Sequence, residues 1–235
     1  MEFWDRVKWD VRRLYWQARK VLLRTKVGER WVESHGGFRE REYPDYATYV
    51  EHQKTKLGAL RSRSVLGHDR RFFGALTDRL AEMGPSLRGR SVLCLAARQG
   101  TEVRAFIHHG AFAVGIDLNP GPSNRYVVVG DFHDLQFADG SVDYVYTTSL
   151  DHAFDLDRII TDVRRVLRDD GAFIVEANTS DGEGAHAGPY EATIWPDLAP
   201  LEERIRGFGF RVESRRPFDL PWPGEQIVFR RNGAG

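Results

Sequence analysis

Residues 91–103 read SVLCLAARQGTEV. The run SVLCLA is apolar and short, which predicts a buried strand. The turn AARQG is made of small residues, and TEVRAFIHHG predicts a helix that Gly110 stops. This is the layout of a nucleotide-binding strand–loop–helix. Yet the turn has Ala96 and Arg98 where such loops carry glycine. Alanine is a small change where the backbone has negative φ, because only positive φ strongly requires glycine. Arginine is a larger one. In a dinucleotide loop the second glycine lets the backbone close on a pyrophosphate, and a long side chain obstructs that approach.

Outward from this stretch, apolar runs alternate with helical patterns. AFAVGIDL (111–118), RYVVVGDF (125–132), VDYVYTTS (142–149) and AFIVEA (172–177) predict four further strands. LDRIITDVRRVLRDDG (156–171) predicts a helix with Ile159, Ile160, Val163, Val166 and Leu167 on one side, closed by Gly171. Continuously apolar strands separated by helices mean a parallel sheet covered on both faces. The tail predicts a long polar loop at 178–195, a helix at 198–210, and two late strands, RVESRRPF and EQIVFRR. The last strand returns antiparallel, because only a short turn around Pro221 and Pro223 connects them. The expected fold is a Rossmann-like, doubly wound α/β domain over 86–235. Its sheet has seven strands, mostly parallel with an antiparallel last strand. Residues 1–85 form an N-terminal helical appendage and lid. Within it, HDRRFFGALTDRLAEMG (68–84) reads as a helix ending at Gly84-Pro85.

Four stretches, VLCLAARQGTEV, AVGIDLNPG, VVVGDFHDLQFADGSVD and YVYTTSLDHAFDLDRIITDVRRVLRDDGAFIVEA, resemble in order and spacing the class I S-adenosylmethionine-dependent methyltransferases. The likeness covers 70–176 by motif and 200–230 by element order. It implies S-adenosylmethionine as the cofactor, held by Leu95, Ala96, Ala97, Arg98, Gly100, Thr101 and Glu102 in the first loop, with Asp117, Leu118, Asp131, Phe132 and Ser149 beyond it. Asp117 stands 21 positions after Ala96 at a strand end, where an acid accepts ribose hydroxyls. Leu118 flanks the adenine, and Asp131 resembles the acid that meets its amino group. The first motif departs from the family: Cys94 replaces an acid, and Ala96 and Arg98 replace glycines. S-adenosylmethionine carries a carboxylate and no phosphate. A guanidinium binds carboxylates in bidentate fashion, so Arg98 is expected either on that carboxylate or as a cap on the loop. Glu102 is a second expectation, for the ammonium group.

Methyl transfer to oxygen needs a base, or a metal that lowers the hydroxyl pKa. The segment TSLDHAFD after the fourth strand offers His152 as base, with Asp151 or Asp155 orienting its ring. Asp151 and Glu176 are the candidates for holding a divalent cation such as Mg2+. His133 and His186 are weaker candidates, and His108 and His109 suit a helix C-terminus. His35, His52, Tyr46, Tyr49 and Trp31 fall in the lid. Their aromatic and polar mixture suits a small-molecule or carbohydrate acceptor, giving O-methylation of a hydroxyl. Two other readings stand beside it, a non-catalytic cofactor-binding or assembly protein and an NAD-dependent oxidoreductase.

The 235 residues carry 34 Lys and Arg against 34 Asp and Glu. Balanced charge does not favour a nucleic-acid partner. A single cysteine excludes an internal disulfide framework and argues for a reducing, cytoplasmic compartment. Residues 1–30 hold nine Lys and Arg against four Asp and Glu, with interleaved tryptophans. Apolar positions at helical spacing predict an amphipathic helix there. Such a helix docks on its own chain or on a second subunit, as in a homodimer, or lies on an anionic membrane surface.

Overall fold

In a computed structural model, the structure describes residues 30–56, 63–83, 86–178 and 188–233, with side chains of the second stretch from residue 67. The helix expected over 1–30, the Gly84-Pro85 stop and His186 lie outside the described residues.

Seven strands form one sheet: β3 (Ser91–Leu95), β4 (Phe112–Asp117), β5 (Val127–Val129), β6 (Val142–Thr147), β7 (Leu167–Ala177), β9 (Phe210–Phe218) and β10 (Gly224–Arg231). Their order is β5-β4-β3-β6-β7-β10-β9. All neighbours on the β5-to-β7 side pair in parallel. β10 is antiparallel to both β7 and β9. The expected mostly parallel sheet with one antiparallel strand is therefore present. The two faces of β3 explain why its sequence is apolar from Val92 to Leu95. Leu93 and Leu95 join one buried cluster with Ile159, Ile160 and Val163 of α4 (Leu156–Val166). Val92 and Cys94 join the other with Val103 and Phe106 of α3 (Thr101–His108).

The helix α2 (Arg63–Ala81) packs in that second layer through Phe72, Leu76 and Leu80. It therefore covers the sheet, although it falls within the segment expected to be lid. Its Arg79 reaches through to β7, giving Nε and Nη2 hydrogen bonds of 2.8 and 2.7 Å to the two oxygens of Glu176. Gln226 donates a further bond of 2.8 Å to Glu176.

The N-terminal region is not wholly helical as expected. β1 (Trp31–Glu33) and β2 (Arg39–Arg41) form a hairpin, and β8 (Thr193–Ile194) adds a third strand to it. The hairpin stays polar because its stability comes from partners distant in sequence. Arg41 donates through Nε to the Glu191 carbonyl at 2.9 Å and through Nη2 to the Gly188 carbonyl at 3.0 Å. The Ala192 amide in turn donates to the Asp151 carbonyl at 2.8 Å. The 188–195 strap thus ties the N-terminal hairpin to the loop after β6. The helix α5 (Leu198–Gly207) follows, buried through Leu201 and Ile205.

Removing one member of the buried Arg79–Glu176 pair leaves an uncompensated charge. Glu176→Ala is expected to lower unfolding free energy by about 3–5 kcal/mol, measured by urea denaturation.

Candidate functional site

The sheet places the ends of β3, β4, β5 and β6 on one edge, as open parallel sheets do. The crevice there is lined by Ala96, Arg98, Asp117, Leu118, Gly130, Phe132, Ser149 and His152 from the strand-end loops. The space within it, counting what is open to solvent, is about 550 Å3. Its remaining wall comes from the N-terminal segment. The helix α1 (Tyr46–Lys54) lies across the strand ends and contributes Tyr49 and Gln53, with Lys56 just beyond it.

The first loop is held by the acid at the end of β4. Asp117 accepts hydrogen bonds from the Arg98 amide at 3.0 Å and from the Asn119 amide at 2.7 Å. Ala96 has φ 51° and Arg98 φ 42°. Both sit in the left-handed region, so the expectation of an easy alanine at negative φ is corrected. The loop keeps the glycine-type backbone and bears the steric cost of two side chains, about 1–2 kcal/mol each. Gly100, at φ 79°, caps α3, and a Cβ there would meet the Tyr126 Cβ at 2.7 Å. Among the described residues the Arg98 guanidinium has no hydrogen bond or ion pair. It lines the crevice, and its charge acts on Lys56, Asp151, His152 and Glu102.

The other expected residues divide. Leu95, Ala97, Thr101 and Glu102 are buried beneath the loop and do not line the crevice. Burial pushes the Glu102 carboxyl up to about 7, partly opposed by Arg98. Burial likewise raises the Cys94 thiol well above its usual range. Asp131 is engaged inside the protein. It accepts from the Tyr46 hydroxyl at 2.5 Å and from the His133 amide at 2.9 Å. Burial pushes its carboxyl up, but the hydrogen bonds from His133 and Tyr46 win and hold it low. Nε2 of His133 accepts the Phe154 and Asp155 amides at 3.1 and 3.2 Å. Nδ1 therefore carries the proton that faces Asp131, 3.0 Å away.

His152 is not placed as expected. Its Nδ1 donates to the Tyr190 carbonyl at 2.8 Å, so neither Asp151 nor Asp155 orients the ring. Asp155 instead caps α4, accepting from the Arg158 amide at 3.0 Å. With Nδ1 protonated, Nε2 is an acceptor, and Lys56 Nζ contacts it. Burial and the neighbouring Lys56 hold the imidazole down at about 3. Burial, with Arg98 nearby, lowers the Lys56 ammonium to about 8.

The expected cation pair is also corrected. Glu176 is committed to Arg79 and Gln226. Asp151 has Glu191 beside it instead. Atoms of Asp151, His152 and Glu191 lie within 4.8 Å of one another. Both ring nitrogens of His152 are engaged in this arrangement, by the Tyr190 carbonyl and by Lys56.

Tyr49 was expected in the lid, whereas Gln53, Lys56, Asn119 and Gly130 in the crevice follow from the structure. The lid residues had a legible signal: Tyr46, Tyr49, Gln53 and Lys56 follow the spacing of one helix face. Tyr46 reaches Asp131, Tyr49 donates to the His152 carbonyl at 2.9 Å, and Gln53 donates to the Tyr190 carbonyl at 2.8 Å.

Residues 93–175 match the family model described as "Methyltransferase domain". The solved structure of Burkholderia thailandensis 1,6-didemethyltoxoflavin-N1-methyltransferase, with 1,6-didemethyltoxoflavin and S-adenosylhomocysteine bound, has TM-score 0.65 and 18% identity over 83% of this chain and 95% of its own. A chain of the Haloferax volcanii complex of the Trm112 methyltransferase activator with a methyltransferase has TM-score 0.60 and 22% identity, covering 75% of this chain and 96% of its own. An S-adenosylmethionine-dependent methyltransferase from Mesorhizobium loti has TM-score 0.52 and 18% identity, over 67% and 99%. No curated protein matches this chain. Residues 93–175 thus match a methyltransferase-domain model, and the chain shares its fold with these solved structures. Among the described residues no helix is long and apolar enough to cross a membrane.

The raised Glu102 pKa makes the buried carboxylate a liability. The folded state binds the proton more tightly than the unfolded chain, so stability falls as pH rises from about 4.5 through about 7. The loss amounts to about 3 kcal/mol in full. Glu102→Gln is expected to remove it, seen as a gain over wild type at pH 8 that is absent at pH 4 in urea unfolding.

Proposed function

We propose that this chain transfers the methyl group of S-adenosylmethionine to a hydroxyl oxygen of a small polar molecule, with a sugar or polyol as the favoured acceptor. The observation that carries this reading is the lid. α1 and Lys56 wall the strand-end crevice with the hydrogen-bonding groups of Gln53 and Lys56, beside the buried Tyr49 ring. A crevice with such polar walls suits a small hydroxylated acceptor better than a polymer.

The residues present fit the cofactor. Each Asp117 oxygen already accepts one backbone amide and keeps a lone pair for a ribose hydroxyl. Leu118 and Phe132 offer apolar edges to the adenine, and Ser149 lines the same crevice. The Arg98 guanidinium, without a hydrogen bond or ion pair among the described residues, suits the carboxylate. Asp131 holds the lid through Tyr46, so the adenine amino group is left to the backbone around Phe132. When bound, the cofactor supplies an electrophilic methyl carbon on a positively charged sulfur. The reading invokes no divalent cation.

A nitrogen acceptor is the second reading, favoured by the likeness to the toxoflavin N1-methyltransferase. A nitrogen nucleophile with a free lone pair requires no base.

Calorimetry is expected to show binding of S-adenosylmethionine and none of NADH. The opposite result would give the fold to an oxidoreductase, and no binding of either would leave an assembly protein. Asp117→Ala and Arg98→Ala are each expected to weaken S-adenosylmethionine binding at least tenfold, the loss of one charge-assisted contact of roughly 1.5–3 kcal/mol. Label from the methyl group should pass to pooled sugars and polyols, and not to tRNA or protein. Transfer only to heteroaromatic amines would select the nitrogen reading.

A further inference from the structure

Lys56 and His152 form an arrangement that the fold alone does not require. His152 Nδ1 donates to the Tyr190 carbonyl at 2.8 Å, which fixes its tautomer and turns the Nε2 lone pair to Lys56 Nζ. The same carbonyl accepts from Gln53 at 2.8 Å, so helix α1 and the ring share one anchor. Both Lys56 and His152 line the crevice. We propose that Lys56 is the general base of the transfer, and that His152, the residue first expected in that role, is its positioning partner.

This deepens the methyl-transfer reading and rests on it. A neutral lysine amine has two N–H bonds and one lone pair. It gives one hydrogen to His152 Nε2 and keeps the lone pair for the acceptor. The acceptor's O–H bond breaks and its proton goes to Nζ. The oxygen's electron pair forms the new O–CH3 bond, and the C–S bond breaks with its pair left on sulfur. The resulting ammonium donates to His152 Nε2, which stays neutral throughout. The charged groups facing Lys56 are Arg98, which disfavours its protonation, and Asp151, Glu191 and Asp117, which favour it. Burial outweighs them and lowers the amine to about 8, near working pH. His152 is held far lower by burial and by Lys56, which suits an acceptor of a hydrogen bond and not a proton store.

Competitive acetylation of the full chain across pH 6–11, with and without S-adenosylhomocysteine, reads the titration of each lysine. Lys56 is expected to become reactive with a midpoint near pH 8, more than two pH units below an ordinary lysine. A midpoint with the other lysines would overturn the proposal. With the sugar or polyol that wild type methylates best, Lys56→Gln and Lys56→Arg should keep cofactor affinity within about threefold and lose at least about 100-fold in kcat/KM. Arginine keeps the charge but cannot give up its proton, so retained turnover in Lys56→Arg would show a merely electrostatic role and overturn the base. His152→Ala should move the Lys56 midpoint and lower kcat with little change in cofactor affinity. A wild type that binds no S-adenosylmethionine would instead overturn the methyl-transfer reading, whatever Lys56 does.

Discussion

Asp117 is the point on which the crevice depends. Its carboxylate accepts the Arg98 amide from the loop after β3 and the Asn119 amide from the loop after β4. One charged group thereby binds two loops, and charged hydrogen bonds are worth more than neutral ones. The bond to Arg98 is made from a residue in left-handed conformation. Glycine would adopt it freely, whereas alanine and arginine must be held. Gly115, one strand residue before Ile116, permits the close approach this requires: a Cβ there would meet the Ala97 Cβ at 2.8 Å. The loop is therefore fixed by the acid ahead of it and by packing beneath it, and Arg98 gains a guanidinium that reaches the crevice.

The lid is joined to the domain with the same economy of groups. Asp131 takes the Tyr46 hydroxyl, and His133 links Asp131 to the amides of Phe154 and Asp155. Tyr49 then bonds the His152 carbonyl, and Gln53 the Tyr190 carbonyl. Successive contacts on one face of α1 reach three separate loops. The strap at 188–195 closes the circuit through Arg41 and Asp151. A shift of α1 would disturb the loop after β5, the loop after β6 and the strap together.

The domain was legible because a strand buried on both faces must be largely apolar, and the runs Val92–Leu95, Tyr144–Tyr146 and Ala172–Val175 are. The β1–β2 hairpin was not legible. Four of its six strand residues are charged, its strands are three residues long, and its third strand lies about 150 residues away in sequence. In the site, Asp117, Leu118, Phe132 and Ser149 were legible because strand ends converge by topology. The sign of φ at Ala96 and Arg98 was not, since side-chain identity argued the other way. Glu176 illustrates the commonest failure of such reading: a strand-end acid pointed to a cation, while the partner, Arg79, came from a helix whose pattern marked only its apolar face.

The charges of the crevice bear on methyl transfer as a set. Lys56 and Arg98 face Asp117, Asp151 and Glu191, so the site is near balance while Lys56 holds its proton. A sulfonium adds a positive charge, and like charges in a partly desolvated site disfavour one another. Under the methyl-transfer reading, Lys56 gives up its proton more readily beside that sulfonium than in its absence. The charge that makes the methyl carbon electrophilic thus also frees the lone pair that receives the acceptor's proton. His152 makes this possible by remaining neutral, because an imidazolium at the same position would add a second repelling charge and remove the acceptor for the Lys56 hydrogen. The Tyr190 carbonyl, which fixes the proton on Nδ1, is the contact that keeps those two functions apart.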